Sequence, residues 1–365
     1  MQETFDAPLA PLTTMRVGGP AARVVVAETT DEVVDVVREV DDADEPLLVL
    51  TGGSNVVLPD EGFPGTVVQV ASDGVTVESA DACGGVMVRV ATGVPWDEFV
   101  ARAVAEGWSG IEALSGIPGG TGATPVQNVG AYGQEVAQTI ASVRVWDRHE
   151  QQVRTFANLD CAFTYRHSVF KGAQFRGGPS ARYVVLDVLF QLIPSERSQP
   201  IGYADLARQL DVAVGDRVPL ADAREAVLAQ RRRRGMVLDA DDHDTWSCGS
   251  FFTNPILSTD RFAALEQRAA QRLGADGPTP PRFADPDGNV KTSAAWLIDQ
   301  AGFGKGFALP GSGAAVSTKH TLAITNRGDA TAYDVLALAR HLREGVHDAF
   351  GVTLVNEPVT IGTTL

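Results

Sequence analysis

The apolar run Leu47-Leu48-Val49-Leu50 ends in Thr51-Gly52-Gly53-Ser54-Asn55, and no amphipathic helix pattern follows it. That junction excludes two common ways of holding a phosphate-bearing cofactor. The segment is neither G-x-G-x-x-G nor G-x-x-x-x-G-K-S/T, and both of those need a helix opening directly behind the loop. Adjacent glycines can still take left-handed backbone and turn successive N–H groups inward as an anion nest. A second loop of the same kind, Gly116-Ile117-Pro118-Gly119-Gly120-Thr121-Gly122-Ala123, lies downstream in another strand-rich stretch. Either loop alone reads equally well as a tight turn. Two of them, each amid strand patterns, point to a dinucleotide bound across a β-rich domain.

Around these loops the pattern alternates. Arg23–Ala27 is strand-like, and Thr30 and Asp31 can cap a helix through Val40 with Val33, Val36, Val37 and Val40 on one face. Short valine-rich strands recur from Val67 to Val90, and Pro95–Glu106 reads as a helix ending at Gly107. Strands are expected at 143–145, 152–156 and 183–192. A helix over Asp222–Arg234 leads into a region of different texture. That region holds helices at Arg261–Leu273, Ser293–Gln300 and Thr331–Phe350, a Pro/Gly-rich loop over 277–288 and a strand at Thr321–Ile324. The chain of 365 residues suits two or three domains, with the main boundary near residue 230.

Bulk properties narrow the partners. A net charge of -16 argues against general nucleic-acid affinity, so an anionic substrate needs a local basic pocket. No apolar run is long enough for a bilayer span, and the N-terminus carries no secretory signal pattern. Cys83, Cys161 and Cys248 are odd in number and widely spaced, which fits a reducing cytoplasm rather than a disulfide framework. The six histidines are scattered without ligand spacing, so no metal site is expected.

Motifs along the whole chain resemble the UDP-N-acetylenolpyruvoylglucosamine reductase family (MurB), specifically its longer class with a tyrosine loop. They are Thr13-Thr14-Met15-Arg16-Val17-Gly18-Gly19, the two glycine loops and Pro125-Val126-Gln127-Asn128-Val129-Gly130-Ala131-Tyr132-Gly133. Tyr165-Arg166-His167-Ser168-Val169-Phe170-Lys171, Gly249-Ser250-Phe251-Phe252-Thr253-Asn254-Pro255, Val290–Asp299 and Phe350–Leu354 continue the series in order. The resemblance implies an α+β fold. Its parts are a two-part FAD-binding domain of the vanillyl-alcohol-oxidase type (residues 1–70 and 71–230), a C-terminal substrate-binding domain (231–350) and a tail (351–365) returning to the flavin domain. It implies non-covalent FAD, NADPH as reductant and UDP-N-acetylglucosamine enolpyruvate as substrate. Hydride passes from NADPH through the flavin to the terminal enolpyruvyl carbon. A monomer is expected, with no nucleic-acid or membrane partner.

The chemistry needs a proton donor at the adjacent carbon and cations or donors around the enolate. The resemblance assigns Ser250 as proton donor, with Arg166 and Glu357 stabilising the enolate. A lone serine is a poor acid and needs its proton resupplied, whereas an arginine can clamp a carboxylate through two parallel bonds. Thr51, Gly52, Gly53, Ser54, Asn55, Gly116, Ile117, Pro118, Gly119, Thr121, Gly122, Ala123, Gln127 and Asn128 are expected at FAD. Tyr132, Tyr203, Arg231, Arg234, Asn254, Lys291 and His320 are expected at substrate, Tyr203 on the closing loop. Arg234 stands where the family has Lys, Phe283 where some members have a phosphate-reaching Tyr, and His320 where some have Gln. Two other readings are an FAD-dependent oxidase or dehydrogenase of another sugar or alcohol, and a non-catalytic binding protein. The second leaves Arg166, Ser250 and Glu357 unexplained.

Overall fold

A computed structural model describes residues 1–81, 84–362 and 364–365; Cys83 lies outside the described residues. The chain divides into two compact units. The first comprises 1–8, 20–53 and 62–237, and the second 9–19, 54–61 and 238–365. Thr51-Gly52-Gly53-Ser54-Asn55 is therefore split, its last two residues clustering with the second unit.

The first unit opens on a small mixed sheet in the order Gln2–Pro8, Pro20–Ala27, Phe63–Val70, Leu47–Leu50. The last three strands run parallel to one another. A parallel connection needs a crossover, and the helix Thr30–Asp42 supplies it. Val33, Val36, Val37 and Val40 form its buried stripe against Val25, Val68, Trp146 and Leu186, as their spacing predicts. The cap lies one residue earlier than expected. Thr29, not Thr30, accepts the Glu32 N–H at 3.2 Å while the Glu32 carboxylate reaches back to the Thr29 N–H. That reciprocal box needs Glu at the third helical position, and only Thr29 has one.

A second, antiparallel sheet follows in the order Gln152–Ala157, Ile140–Asp147, Tyr183–Pro194, Gly85–Ala91, Val75–Asp81. The helix Trp96–Ala105 lays Trp96 and Phe99 onto Phe190 of its longest strand, with ring centroids 5.1–5.9 Å apart. Ala204–Gln209 and Leu220–Arg233 close the unit as a helix pair packed on Ala113.

In the second unit the helices Thr259–Leu273, Ala294–Gln300 and Ala332–Phe350 share a core with Met15, Val17 and Val57. The two short early segments are thus built into it. Asp60 takes the Ala332 and Tyr333 N–H groups at the start of the last helix, at 2.7 and 3.0 Å. Val359–Thr360 runs parallel to Val56–Val57. The strand expected at Thr321–Ile324 forms instead over Ile324–Asn326, antiparallel to Ala314–Val316. Residues 321–323 are spent on a turn in which the Ala323 N–H bonds the His320 carbonyl at 3.1 Å. The loop over 277–288 contains a two-residue strand, Phe283–Ala284. Among the described residues no helix is long and apolar enough to cross a membrane.

Candidate active site

The two glycine loops meet in the first unit. A Cβ on Gly52 would lie 2.7 Å from the Gly119 Cα, so their backbones touch only because both residues lack side chains. Gly53, Gly116 and Gly119 take positive φ of 55°, 73° and 116°. Among the described residues the N–H groups of Gly52, Gly53, Gly119 and Gly120 have no protein acceptor. A donor-lined surface cleared of side chains fits a pyrophosphate, so the residues present suit a dinucleotide such as FAD. The rest of the second loop is locked to the scaffold. The Thr121 N–H and hydroxyl both donate to the Val94 carbonyl, at 2.8 and 2.9 Å, and the Gly122 N–H to Thr92 at 3.0 Å. Gly116 is held by Asp97, whose Oδ1 accepts its N–H at 2.6 Å while Arg224 grips both carboxylate oxygens. Burial opposes the Asp97 charge, but Arg224 and the Gly116 N–H outweigh it and hold the carboxyl below its usual range. Ile117, Pro118, Ala123 and Gln127 are half-buried around this surface.

Next to the loop, three non-glycine residues hold left-handed backbone: Asn128, Tyr132 and Arg166, with φ of 47°, 50° and 55°. Such positions cost energy and tend to cluster at functional sites. Tyr132 and Gly133 (φ 90°) are the two turn residues of a hairpin between Gly130–Ala131 and Gln134–Glu135, where positive φ at both positions matches strand twist. The Arg166 guanidinium donates to the Gly130 carbonyl at 2.7 Å and the Asn128 carbonyl at 3.4 Å, so it braces the strand that carries Tyr132. Asn128 is buried and fully engaged: its amide nitrogen reaches Glu135 and Thr164, and its oxygen takes the Ala137 N–H, all at 3.1 Å.

Tyr203 sits beside the same hairpin, its ring 5.8 Å from that of Tyr132 and edge-on to it. It is 52% exposed at the head of the Ala204–Gln209 helix. Arg231 donates to the Met236 carbonyl at 2.7 Å, and its buried Nε has no partner among the described residues. Burial pulls its guanidinium down to about 10. Arg234, the residue that caps the C-terminal end of the Leu220–Arg233 helix, faces Asp205 at 3.7 Å.

The second unit gathers the other expected residues through its backbone. Phe251 donates to the Leu322 carbonyl at 2.8 Å and accepts the Glu357 N–H at 2.9 Å, fixing Ser250 just before it and Glu357 alongside. Thr253 bonds Val355 and the Asn55 carbonyl takes the Val359 N–H, at 2.9 and 3.0 Å. The Asn55 amide also reaches the Glu357 carbonyl at 3.4 Å. Asn254 Oδ1 takes the Ala294 N–H at 3.0 Å. Lys291 lies opposite both Ile256 and Phe283 in a small sheet. His320 ends a turn organised by Asp244, which accepts from Ser317, the Thr318 N–H, the Thr318 hydroxyl and Arg327 at 2.6–2.9 Å. Cys248 is buried and its thiol pushed up to about 12 by desolvation, which makes it inert at neutral pH.

The sequence model of the UDP-N-acetylenolpyruvoylglucosamine reductase C-terminal domain matches residues 241–361, and that of an FAD binding domain matches 21–155. A UDP-N-acetylenolpyruvoylglucosamine reductase of Thermobifida fusca is 57% identical over 360 residues, 99% of this chain and 98% of that relative. The chain belongs to the UDP-N-acetylenolpyruvoylglucosamine reductase family. A member from Mycobacterium tuberculosis is 50% identical over 366 residues, covering 98% of this chain and 95% of its own length. The crystal structure of the Thermus caldophilus reductase shares the fold, with a TM-score of 0.62, 24% identity and coverage of 99% and 98%. The α+β architecture expected from the motifs is the family's.

Asp97, Glu112 and Asp244 escaped the sequence reading. Asp97 and Glu112 are acids among apolar neighbours, and that misplaced polarity is the signal that could have found them; Asp244 lies among Asp239, Asp241 and Asp242 and carries no such signal.

Proposed function

We propose that this chain reduces UDP-N-acetylglucosamine enolpyruvate to UDP-N-acetylmuramate with NADPH, as an FAD oxidoreductase of peptidoglycan precursor synthesis acting in the cytoplasm. FAD supplies the hydride relay from NADPH to the terminal enolpyruvyl carbon. The single observation that carries this reading is the 57% identity to a reductase of that name across the whole chain. The touching glycine loops with their unengaged N–H groups support the cofactor. Gly52, Gly53, Gly119 and Gly120 would hold its pyrophosphate non-covalently, and Thr51, Ser54 and Asn55 are further cofactor contacts in this reading. The first 230 residues serve the flavin and residues 231–350 the substrate.

Ser250 delivers the proton to the carbon next to the one that receives hydride. Its neighbour Phe251 is fully buried and bonded on both sides of its peptide, which keeps the serine backbone from drifting during the transfer. Arg166 and Glu357 stabilise the enolate. The Arg166 planar fork, already aligned by the Gly130 carbonyl, supports its part. Arg231 and Arg234 meet the diphosphate, Tyr132 and Tyr203 cover it, and Asn254, Lys291 and His320 complete the substrate contacts. The protein works as a monomer.

The test is an anaerobic titration. NADPH should bleach the purified yellow protein, and one equivalent of enolpyruvyl-UDP-GlcNAc should restore the colour while NADPH alone should not. Bleaching without colour return would leave a flavin reductase of other specificity.

A further inference from the structure

The short turn Glu112–Leu114, just before the second glycine loop, bonds to several segments of the first unit's site. Glu112 is 2% exposed. Its Oε2 accepts the Gly110 N–H at 2.7 Å, and its Oε1 accepts the Gln199 N–H at 2.5 Å and the Ser109 hydroxyl at 3.4 Å. The Gln199 amide returns to Ser109 at 2.9 Å. The next residue, Ala113, gives its N–H to Gln134 Oε1 at 2.7 Å, directly after the Tyr132-Gly133 turn. Two residues further, the Ser115 hydroxyl bonds the Glu112 carbonyl at 2.7 Å at the entrance to Gly116.

Gln199 is the root of the segment that ends in Tyr203. The Ser198 and Ile201 N–H groups are tied to the carbonyls of Val218 and Asp216, at 2.7 and 2.9 Å. The Gln199 N–H is the one turned the other way, and the buried carboxylate is its acceptor. Ile201 packs with Ala113 in the same apolar cluster that Tyr132 abuts. Adjacent residues of one rigid turn therefore grip the carrier of Tyr203 and the carrier of Tyr132, whose rings meet edge-on.

We propose that Glu112 is a positioning residue that sets Tyr203 against the Tyr132 hairpin for closure over substrate. The inference rests on the reading that Tyr203 contacts substrate. An amide cannot replace the carboxylate, because one of the two oxygens facing N–H donors becomes an NH2.

Glu112→Gln is expected to raise the substrate KM roughly tenfold, the scale of one lost charge-assisted bond, while bound flavin and the rate of NADPH bleaching stay at parent values. Gln199→Pro removes the same bond from the loop side. It keeps the carboxylate and takes away the N–H donor, so it should give the same KM rise and guards against a misfolded Glu112 variant. Combined with Tyr203→Ala, neither change should raise KM further. If Tyr203→Ala alone leaves KM at the parent value, the tyrosine reading fails and the positioning role fails with it. If Tyr203→Ala raises KM but Glu112→Gln and Gln199→Pro either do nothing or add their full factor on top of it, the positioning role alone is overturned.

Discussion

The two units aim their residues in different ways. In the first, direction comes from local backbone: Asn128, Tyr132 and Arg166 all sit in left-handed conformations within 40 residues of one another, cross-braced by Arg166 on Gly130 and Asn128 on Thr164. In the second, no expected site residue has positive φ among the described residues. Ser250 and Glu357 are set by strand-like bonding between segments a hundred residues apart, Phe251 with Glu357 and Thr253 with Val355. Strain of order 1–3 kcal/mol per residue must be offset by surrounding packing, which makes the first arrangement stiff but sensitive to substitution. The second is unstrained and depends on the chain's long-range closure.

The first unit is most sensitive where its two glycine loops touch. Gly52→Ala places a methyl 2.7 Å from the Gly119 Cα, where backbone meets backbone and neither can yield cheaply. The loops should part, and the purified protein should be colourless although folded by circular dichroism. A yellow Gly52→Ala protein would show that the close approach is not what holds the cofactor. Arg166→Lys comes next. It keeps the charge but loses the fork that reaches two carbonyls, and kcat/KM should fall roughly 10–100-fold with flavin content intact. Equal steady-state kinetics in mutant and parent would remove Arg166 from both its bracing and its enolate role.

Arg234→Ala should raise the substrate KM more than it lowers kcat, by about 1–3 kcal/mol for one partly exposed charged contact. Because the Asp205 contact at 3.7 Å must be given up on binding, the lower end of that range is expected. An unchanged KM would return Arg234 to the solvated helix end. A further effect concerns stability against pH rather than activity. Burial opposes the charge on Asp147, but Arg182, Arg154 and the His149 and Glu150 N–H groups lower its carboxyl from 3.8 to about 2. A depressed carboxylate contributes stability above its unfolded value and loses it as pH falls through the folded one. The first unit should therefore lose roughly 2 kcal/mol between pH 4 and pH 2 from this group. In Asp147→Asn, melting temperature against pH should be flatter over that interval; an equally steep acid limb would assign the loss to other carboxylates.

What the sequence made legible follows the same division. Val33, Val36, Val37 and Val40 mark the buried helix face by spacing alone, and Leu47–Leu50 is a strand with the expected ends. The glycine loops announced themselves because their geometry is local. That Leu9–Gly19 and Ser54–Glu61 build into the second unit could not be read, since nothing local distinguishes Asp60 as the cap of a helix 272 residues away. The strand at Ile324–Asn326 was misplaced for a similar reason: Thr321 and Leu322 have strand-like side chains, but the Ser317–Ala323 turn claims their backbone. Glu112 was missed because one acid in Ile111-Glu112-Ala113-Leu114 looks solvated until Gly110 and Gln199 are seen around it.

In the proposed mechanism Ser250 acts only in the second half-reaction, as the proton donor. Stopped-flow absorbance of the flavin in Ser250→Ala separates the halves directly. Normal FAD content is expected, with bleaching by NADPH at near the parent rate and reoxidation by enolpyruvyl-UDP-GlcNAc slowed by about 10²–10⁴-fold, the range of a positioned general acid. Reoxidation by oxygen, which needs no proton at the substrate carbon, should be unaffected. If bleaching by NADPH slows as much as substrate-driven reoxidation, Ser250 shapes the flavin site and is not the proton donor.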